Sequence, residues 1–252
     1  MNHSIRSIAA LALLGLLSGC AAGGGLDMQK ALGVGGGVLQ ATTLTEETVK
    51  QTSALAATEM DSKAKVAPAN NPYAVRLQKL TQGLERYDGL NLNFKVYLAP
   101  EVNAFAMADG TVRVYSGLFD AMPDDQVFAV IAHEIGHVKL KHSYKQMREQ
   151  LLADSAFQAV AAMGGTIGSL TSSQLGQLGK KAISAHFSQA DELEADTYAV
   201  RTLYALKKNP QAMKESILTL ERLYGTGGGF LSSHPSNPRR IEQIEAAIAA
   251  HR

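Results

Sequence analysis

The stretch Val127-Phe128-Ala129-Val130-Ile131-Ala132-His133-Glu134-Ile135-Gly136-His137 decides both the fold and the chemistry of this chain. Its first six residues are apolar, which predicts a buried helix. Residues four apart on a helix share one face, so His133 and His137 can bind one Zn²⁺ while Glu134 points toward the water that the ion activates. The alternative is a helix with two surface histidines, but polar side chains in an apolar helix are costly unless a metal ion satisfies them.

A catalytic zinc takes three protein ligands, and residues 188–196 offer the third. Glu192 and Asp196 are four residues apart on a predicted helix. One of them can bind the metal while the other accepts the free N–H of a ligating histidine. Because this segment follows H-E-x-x-H, we favour Glu192 as the ligand. The alternative is an acidic, solvated helix face, which is the role we expect for Asp191 and Glu194.

These motifs resemble the HtpX and CAAX-prenyl-protease family of zinc metallopeptidases, peptidase family M48, in which H-E-x-x-H is followed by E-x-x-A-D. Two further segments match it. Asn103-Ala104-Phe105-Ala106 resembles the family's N-A-F-A segment, and the eight residues from His234 to Ile241 resemble its H-P-x-x-x-x-R-I motif. The four motifs occur in the family's order between residues 70 and 252.

The resemblance implies a gluzincin-like α+β fold, mainly helical, with a small three-stranded sheet beside the active-site helix. It implies a zinc metalloendopeptidase with one Zn²⁺ per chain, Glu192 as the third ligand and Asp196 supporting a ligand. In gluzincins an edge strand beside the cleft pairs with extended substrate, a role expected here for Asn103, Ala104, Phe105 and Ala106. The alternative for that strand is ordinary core.

The expected site assigns roles to four more side chains. Glu134 would take a proton as the carbonyl is attacked and deliver it to the leaving amine. His234 is the second predicted catalytic residue, donating a hydrogen bond to the carbonyl oxygen, with Arg240 or Tyr198 supporting the transition state. Alternatively, His234 occupies the fourth zinc position and keeps the enzyme latent until the glycine-rich loop at residues 225–229 moves.

The first twenty residues predict export and lipid attachment. A short basic region precedes an apolar stretch at residues 8–17, which is too short to span a bilayer and is typical of a signal peptide over residues 1–19. Leu17-Ser18-Gly19-Cys20 resembles the bacterial lipobox, an ordinary signal peptide being the alternative. Cys20 is the chain's one cysteine, so it has no disulfide partner within the chain, and we expect it to carry the lipid. Ala21, in place of Asp, suggests by analogy an outer-membrane lipoprotein that faces the periplasm.

The mature chain divides into a Gly-rich tether with an N-terminal helix, residues 20–69, and a metallopeptidase domain, residues 70–252. Helices are predicted over residues 38–66, 73–87, 124–150, 210–224 and 237–250, with one more running on from Glu192. Strands are predicted near residues 93–98, 103–107 and 111–115, with Asp109-Gly110 as a hairpin turn. The formal net charge of +1 shows no excess of basic residues of the kind that nucleic-acid-binding proteins carry.

Two features between the motifs leave alternatives open. Residues 156–179 are apolar but interrupted by Gln, Thr, Ser and Gly, so they do not read as a membrane span. We favour a soluble helix pair there, the alternative being a lid or a surface that contacts membrane or a partner. On a straight helix His142 lies about 140° from His137, so we assign it a structural role. His186 is expected on the surface or in packing.

The predicted function is hydrolysis of peptide bonds in unfolded or damaged cell-envelope proteins, that is, protein quality control by a lipid-anchored zinc enzyme. Polypeptides would be its substrates, and the membrane would be contacted through the lipid on Cys20. The alternative is a chaperone-like factor that helps assemble outer-membrane proteins, with proteolysis secondary. The outer-membrane assembly machinery would then be a partner. An intact Glu134 beside three ligands favours the enzyme.

Overall fold

The computed structural model describes residues 44–155, 157–158, 169–184, 186–225 and 227–251. Its strands are β1 (Asn93–Tyr97), β2 (Ala104–Ala106) and β3 (Thr111–Tyr115). Its helices are α1 (Glu46–Lys63), α2 (Pro72–Thr81), α3 (Ser116–Ala121), α4 (Asp124–Lys139), α5 (His142–Ala153), α6 (Ser172–Ser184), α7 (Gln189–Ala205), α8 (Gln211–Tyr224) and α9 (Pro238–Ala249). A 3₁₀ helix covers Gly229–Ser232. The mainly helical α+β fold with a three-stranded sheet is confirmed.

The sheet has the order β1-β3-β2, so β2 is an edge strand. β2 and β3 form the expected antiparallel hairpin, and β1 runs parallel to β3. Gly110 in the turn has φ of 92°, and a Cβ there would lie 1.9 Å from the carbonyl oxygen of Asn91. The turn therefore requires glycine, which explains the strength of the Asp109-Gly110 signal.

Side chains alternate between the two faces of the sheet, and each face is covered by helices. Val96, Val112 and Val114 belong to the hydrophobic cluster that contains α4, α7, α8 and α9. Tyr97 and Phe105 belong to a second cluster with side chains from α1, α5 and α6. The sheet thus separates two cores, and α4 lies in the larger one. This alternation is the period-two pattern that the strand prediction relied on.

One ion-pair network holds α1 on the second face of the sheet. Asp61 of α1 accepts hydrogen bonds from Arg113 Nε and Nη2 at 2.8 and 2.9 Å, from Lys95 Nζ at 2.7 Å and from the Tyr97 hydroxyl at 2.7 Å. Burial would raise the pKa of Asp61, but these donors outweigh it and lower the pKa to about 2. The charged form of Asp61 therefore stabilises the packing of α1 on the sheet.

The active-site helix ends sooner than expected. The prediction of one helix over residues 124–150 is wrong, because α4 stops at Lys139 and α5 begins at His142. Between them Lys141 adopts a left-handed conformation with φ of 63° and ψ of 23°. Leu140 and Lys141 carry no sequence signal for a break, since neither is Gly, Pro or Asn. The break turns α5 away from the axis of α4.

A second helix is also shorter than predicted. The sequence indicated residues 73–87, whereas α2 ends at Thr81. Gly83, Asp88 and Gly89 all have positive φ, so the chain turns repeatedly before β1 begins. Leu84 is nevertheless buried as expected, because the turn returns its side chain to the core.

Several predictions fall wholly or partly outside the described residues. The signal peptide, Cys20 and the Gly-rich tether lie there, as do residues 156 and 159–168 of the interrupted apolar segment. The later part of that segment enters α6, which packs against α1. Across the described ranges, no helix combines the length and apolar character that crossing a membrane requires.

Candidate metal centre

The site is built where α4 crosses α7. Ser188 caps α7 in a capping box with Asp191, which fixes where this helix begins. Gly136 of α4 faces α7, and a Cβ at that position would lie 3.2 Å from both Cα and O of Ala195. A larger residue would hold the helices apart. Glycine in the H-E-x-x-H motif therefore lets the histidines approach the carboxylates of α7.

Four ligand-type atoms converge at this crossing. His133, His137, Glu192 and His234 each place one such atom within 4.8 Å of the others, and all four residues are buried. The Nε2 atoms of His133 and His137 lie 3.0 Å apart. Glu192 Oε1 lies 3.4 Å from His137 Nε2 and 3.0 Å from His234 Nδ1. The sequence predicted all four residues, and the structure brings them together.

The donor set fits a single divalent cation. Ligands at zinc's usual bond lengths of about 2.0–2.1 Å in a tetrahedron stand roughly 3.3 Å apart, close to the separations seen here. Two imidazole Nε2 atoms that face each other at 3.0 Å beside a carboxylate leave their lone pairs without sufficient donors. A cation at their centre would satisfy them, and two histidines with one glutamate form a common catalytic zinc set.

Asp196 and Arg240 support this cluster from behind. Asp196 Oδ1 lies 2.8 Å from His133 Nδ1, the position expected of a residue that orients a ligating histidine. Arg240 Nε and Nη2 each contact an Asp196 oxygen at 2.7 Å, and Arg240 Nη1 lies 2.7 Å from Glu192 Oε2. Burial opposes ionisation of Asp196, but Arg240 and His133 lower its pKa. Arg240 thus binds both carboxylates. It also lies behind His234, as expected, because its Nη1 donates a hydrogen bond to the His234 carbonyl at 3.1 Å.

The two histidines of the motif differ in their surroundings. Burial would lower the pKa of His133, but Asp196 and Glu192 outweigh it and raise the pKa to about 9. Burial dominates at His137 and lowers its pKa well below the usual range. Burial also opposes ionisation of Glu192, yet His234 and Arg240 hold its pKa well below the ordinary value. The carboxylate is therefore charged and able to bind a cation.

Glu134 lies beside the cluster without joining it. Its side chain is buried, and burial raises the pKa of its carboxyl group. The backbone N–H of Ala106 in β2 donates to this carboxylate, and His234 Nε2 lies 3.3 Å from Glu134 Oε1. Within the described residues Oε1 forms no hydrogen bond. A buried carboxylate with a raised pKa, and with an oxygen that His234 Nε2 approaches at 3.3 Å, is suited to accept and return a proton.

His142 is the residue that sequence reasoning assigned only a structural role. Its Nδ1 lies 3.1 Å from His137 Nδ1, and its Nε2 lies 3.3 Å from both Asp191 Oδ1 and Glu194 Oε2. Glu194 is exposed, as expected for a solvated helix face, whereas Asp191 is partly buried, and both carboxylates also contact His142. The angle of about 140° assumed one straight helix, but the helix is interrupted at Lys141, before His142. His186, by contrast, is exposed, as expected.

Two phenylalanines, which no sequence motif singles out, cover the cluster. The Phe230 ring stacks on His234 with centroids 4.2 Å apart, and Phe187 stacks on His137 at 3.8 Å. The Phe187 N–H donates to the Ser233 carbonyl at 3.3 Å, which joins the two segments that carry these rings. As a result, His234 is only 2% exposed and the cluster is shut off from solvent.

The edge strand β2 lies beside the site as predicted. Several of the backbone N–H and C=O groups on its free edge, however, already have hydrogen-bond partners within the protein. Pairing of Asn103 and Met107 with β3 leaves the amides of Ala104 and Ala106 pointing away from the sheet. Ala106 donates to Glu134, and its carbonyl accepts from Ser143 Oγ at 3.1 Å. The Ala104 N–H is bound by the Asn103 side chain at 2.9 Å. A substrate strand would have to replace these contacts.

Tyr198 does not join the cluster. Its hydroxyl donates to Asp88 Oδ2 at 3.1 Å, in the turn before β1, and its ring lies against Gly136. The expectation that Tyr198 supports the transition state finds no contact in this geometry. Tyr198 lies two residues after Asp196 on α7, and this spacing turns its side chain about 200° round the helix from the Asp196 carboxylate.

The amino-acid sequence of this chain is similar to those of known metalloproteases. The sequence profile of Peptidase family M48 matches residues 76–248. Metalloprotease LoiP of Escherichia coli (strain K12) is 40% identical over 245 residues, which cover 96% of each chain. Metalloprotease YcaL of the same organism is 36% identical over 237 residues, 93% of each chain.

A more distant similarity covers about half of this chain. The beta-barrel assembly-enhancing protease of Escherichia coli (strain K12) is 30% identical over 152 residues. These residues make up 56% of this chain and 31% of that protein.

Proposed function

Because this chain belongs to peptidase family M48 and is a metalloprotease, we propose that it is a zinc endopeptidase in which His133, His137 and Glu192 hold one Zn²⁺. The observation that carries this proposal is the convergence of these buried ligand atoms beside Glu134. Zinc fits better than magnesium or calcium, because two of the three ligands are imidazoles and hard cations prefer all-oxygen sites.

When bound, the ion would polarise the scissile carbonyl and acidify a water molecule. Glu134 then takes the proton of that water, for which its raised pKa suits it. The same carboxyl group returns the proton to the departing amine. Asp196 holds the ring of His133, and Arg240 fixes the carboxylates of Asp196 and Glu192. The oxygen of the carbonyl would take its further hydrogen bond from His234 Nε2, which already faces Glu134.

The test of this chemistry is Glu134→Gln, because the amide keeps the shape of the side chain but cannot accept the proton. We expect zinc content to stay at one per chain while the rate of casein cleavage falls by a factor of about 10²–10⁴. His133→Ala or Glu192→Ala should instead lower the zinc content, measured by elemental analysis. Retained, chelator-sensitive cleavage by Glu134→Gln would show that another group is the base.

The position of His234 supports a closed resting state. Its Nδ1 lies 3.3 Å from His133 Nε2 and 3.0 Å from Glu192 Oε1. If His133, His137 and Glu192 hold the ion, His234 in this position would be a fourth ligand and would exclude substrate. We propose that His234 leaves this place before substrate enters, carried by the segment from Gly225 to His234. Gly225 and Gly229 both have positive φ, which only glycine adopts at little cost.

His234→Ala separates the two roles. Increased cleavage of a short peptide would show that the ring mainly blocks the site, as the closed geometry favours. A loss of cleavage with zinc retained would show that the transition-state role outweighs the blocking. The matched control is His251→Gln, since His251 lies at the end of α9 and stacks on Tyr204.

For the location of the protein we propose a lipid anchor on Cys20 and attachment to the outer membrane, facing the periplasm. The support is the lone cysteine after Leu17-Ser18-Gly19, preceded by an apolar stretch. Cys20→Ser should move the protein from the membrane fraction to the soluble fraction. Mass spectrometry of the N-terminal peptide should find acyl chains on Cys20 in the wild type. An unmodified, cleaved N-terminus would contradict the anchor.

For the substrates we propose unfolded or damaged envelope proteins. Main-chain pairing along β2 would tolerate many sequences, which suits quality control. The competing function is a chaperone-like assembly factor, favoured by the 30% identity to a protein named beta-barrel assembly-enhancing protease. Cross-linking in cells that carry Glu134→Gln should trap unfolded envelope proteins. If Glu134→Gln fully restores outer-membrane protein assembly in a deletion strain, assembly rather than cleavage is the main function.

A further inference from the structure

Lys141, the left-handed residue between α4 and α5, brings the ring of His142 next to His137 of the H-E-x-x-H motif. Without this break His142 would lie about 140° round the helix from His137. With Lys141 at φ of 63°, the ring centroids of His137 and His142 are 5.1 Å apart and their Nδ1 atoms are 3.1 Å apart. A non-glycine residue in this conformation is uncommon, and Lys141 is one of three among the described residues, with Asp88 and Lys207.

Two carboxylates determine where the proton of His142 sits. Asp191 Oδ1 and Glu194 Oε2 both lie 3.3 Å from His142 Nε2. A carboxylate only accepts hydrogen bonds, so Nε2 must carry the proton in the neutral ring. Its Nδ1 is then a lone pair that faces His137.

The tautomer of His137 follows from this arrangement. The His137 Nδ1–H donates to His142 Nδ1, which leaves His137 Nε2 unprotonated and directed at His133 Nε2 and Glu192. His133 reaches the same state by a shorter route, since its Nδ1 contacts the Asp196 carboxylate directly. Both histidines of the motif therefore have a carboxylate behind them, one directly and the other through a second imidazole.

We propose that His142 is a positioning residue for the metal centre, which fixes the tautomer and the ring orientation of His137 and links that ring to Asp191 and Glu194. This inference rests on the proposed function, because it requires His137 to bind the ion. Groups that orient a ligating histidine in this way change metal affinity by a factor of about 10–100 when removed.

The first test compares two substitutions of the same residue in the purified full chain. His142→Leu fills the space but leaves the His137 Nδ1–H without an acceptor, so zinc affinity should fall about 10–100-fold in competition with a chromophoric chelator. His142→Asn places an oxygen near the position of Nδ1 and should hold zinc within a few-fold of the wild type. Unfolding of the zinc-free variants in urea shows whether both still fold.

Equal affinity in the wild type and in His142→Leu would overturn the proposal and leave the proposed function intact. Equal loss in His142→Leu and His142→Asn would also overturn it, since packing alone would then explain the effect. A wild-type chain that binds no zinc would overturn both proposals together. His251→Gln serves as the control for loss of a histidine away from the site and should bind zinc as the wild type does.

The carboxylate end of the relay offers a milder and independent test. Glu194→Gln should weaken zinc binding a few-fold, because Asp191 remains as an acceptor for His142. Asp191 also caps α7, so Glu194 is the cleaner position to change. The control is Glu215→Gln, a change of an exposed glutamate on α8.

NMR spectroscopy tests the tautomers directly. In the zinc-loaded wild type, the ¹⁵N chemical shifts should show the proton on Nδ1 of His137 and on Nε2 of His142. The opposite tautomer of His142 would contradict the relay.

Discussion

Arg240 connects more parts of the site than any one ligand does. Its guanidinium group contacts both oxygens of Asp196, one oxygen of Glu192 and the carbonyl of His234, and none of its side chain is exposed. The planar group matches this task, because it presents several donors in one plane and stays charged when buried. It therefore balances two buried carboxylates and holds the C-terminal end of the segment that closes the site.

Removing this charge should be costly. Arg240→Met leaves Asp196 and Glu192 buried without their cation, a situation that typically costs about 3–5 kcal/mol of folding stability. Urea unfolding of the zinc-free chain should show that loss. The control is the adjacent and exposed Arg239→Met, which should change stability by less than about 0.5 kcal/mol. Similar stability of the two variants would mean that Arg240 does not balance these carboxylates.

At the scale of elements, the contact between α4 and α7 determines the geometry of the cluster. The ligands come from both helices, so the distance between the helix axes sets the distance from the histidines to Glu192. Gly136 is a point of close approach in this contact, because an added Cβ there would lie 3.2 Å from the Cα and O atoms of Ala195. The spacing of the ligands along each helix could be read from the sequence. The distance between α4 and α7 could not, because it depends on how the whole core packs.

Gly136→Ala should separate the helices slightly. Overpacking of this kind costs about 1–3 kcal/mol of stability. Zinc affinity should fall as well, because Glu192 moves away from His133 and His137. The matched control is Gly227→Ala, where a Cβ would meet no atom within 4 Å. If chelator competition gives the same affinity for Gly136→Ala and the wild type, the helix contact does not limit ligand geometry.

The packing of α1 on the sheet should respond to acid through Asp61. Its pKa is about 2 in the folded protein, against roughly 3.9 in an unfolded chain. Its stabilising contribution is thus complete above about pH 4 and is lost as the pH falls toward 2. A shift of about two pH units corresponds to roughly 2–3 kcal/mol.

Asp61→Asn should lower stability at neutral pH by about that amount and flatten the dependence on pH between 4 and 2. Acid also protonates the histidine cluster in both proteins, so the difference between the two unfolding curves is the relevant quantity. Glu242→Gln, at an exposed position on α9, controls for loss of a carboxylate. Parallel curves for Asp61→Asn and the wild type would show that the network adds no stability.

The residues that the sequence could identify are those whose relation is local or carried by a motif. His133 and His137 share one helix face, as do Glu192 and Asp196, so regular spacing was enough. His142 was missed because its place depends on one left-handed residue, Lys141, with no Gly, Pro or Asn to signal it. Phe187 and Phe230 were missed because stacking between distant segments leaves no periodic pattern.

At the scale of the whole molecule, the described residues form a closed site between two cores. The larger core holds α4 with α7, α8 and α9, and strands β2 and β3 contact α4 beside them. Phe187, Phe230 and His234 cover the cluster, so substrate entry requires these segments to move. A protease tethered among exported proteins is safer when its resting state is closed, which fits the proposed lipid anchor and the quality-control role.

We expect one zinc ion between α4 and α7, and anomalous diffraction across the zinc absorption edge would locate it. Crystals of the full chain should show a single peak per chain. That peak should lie about 2.0–2.2 Å from His133 Nε2, His137 Nε2 and a Glu192 oxygen. A peak bound by other residues, or zinc-loaded active protein with no peak at this crossing, would contradict the account.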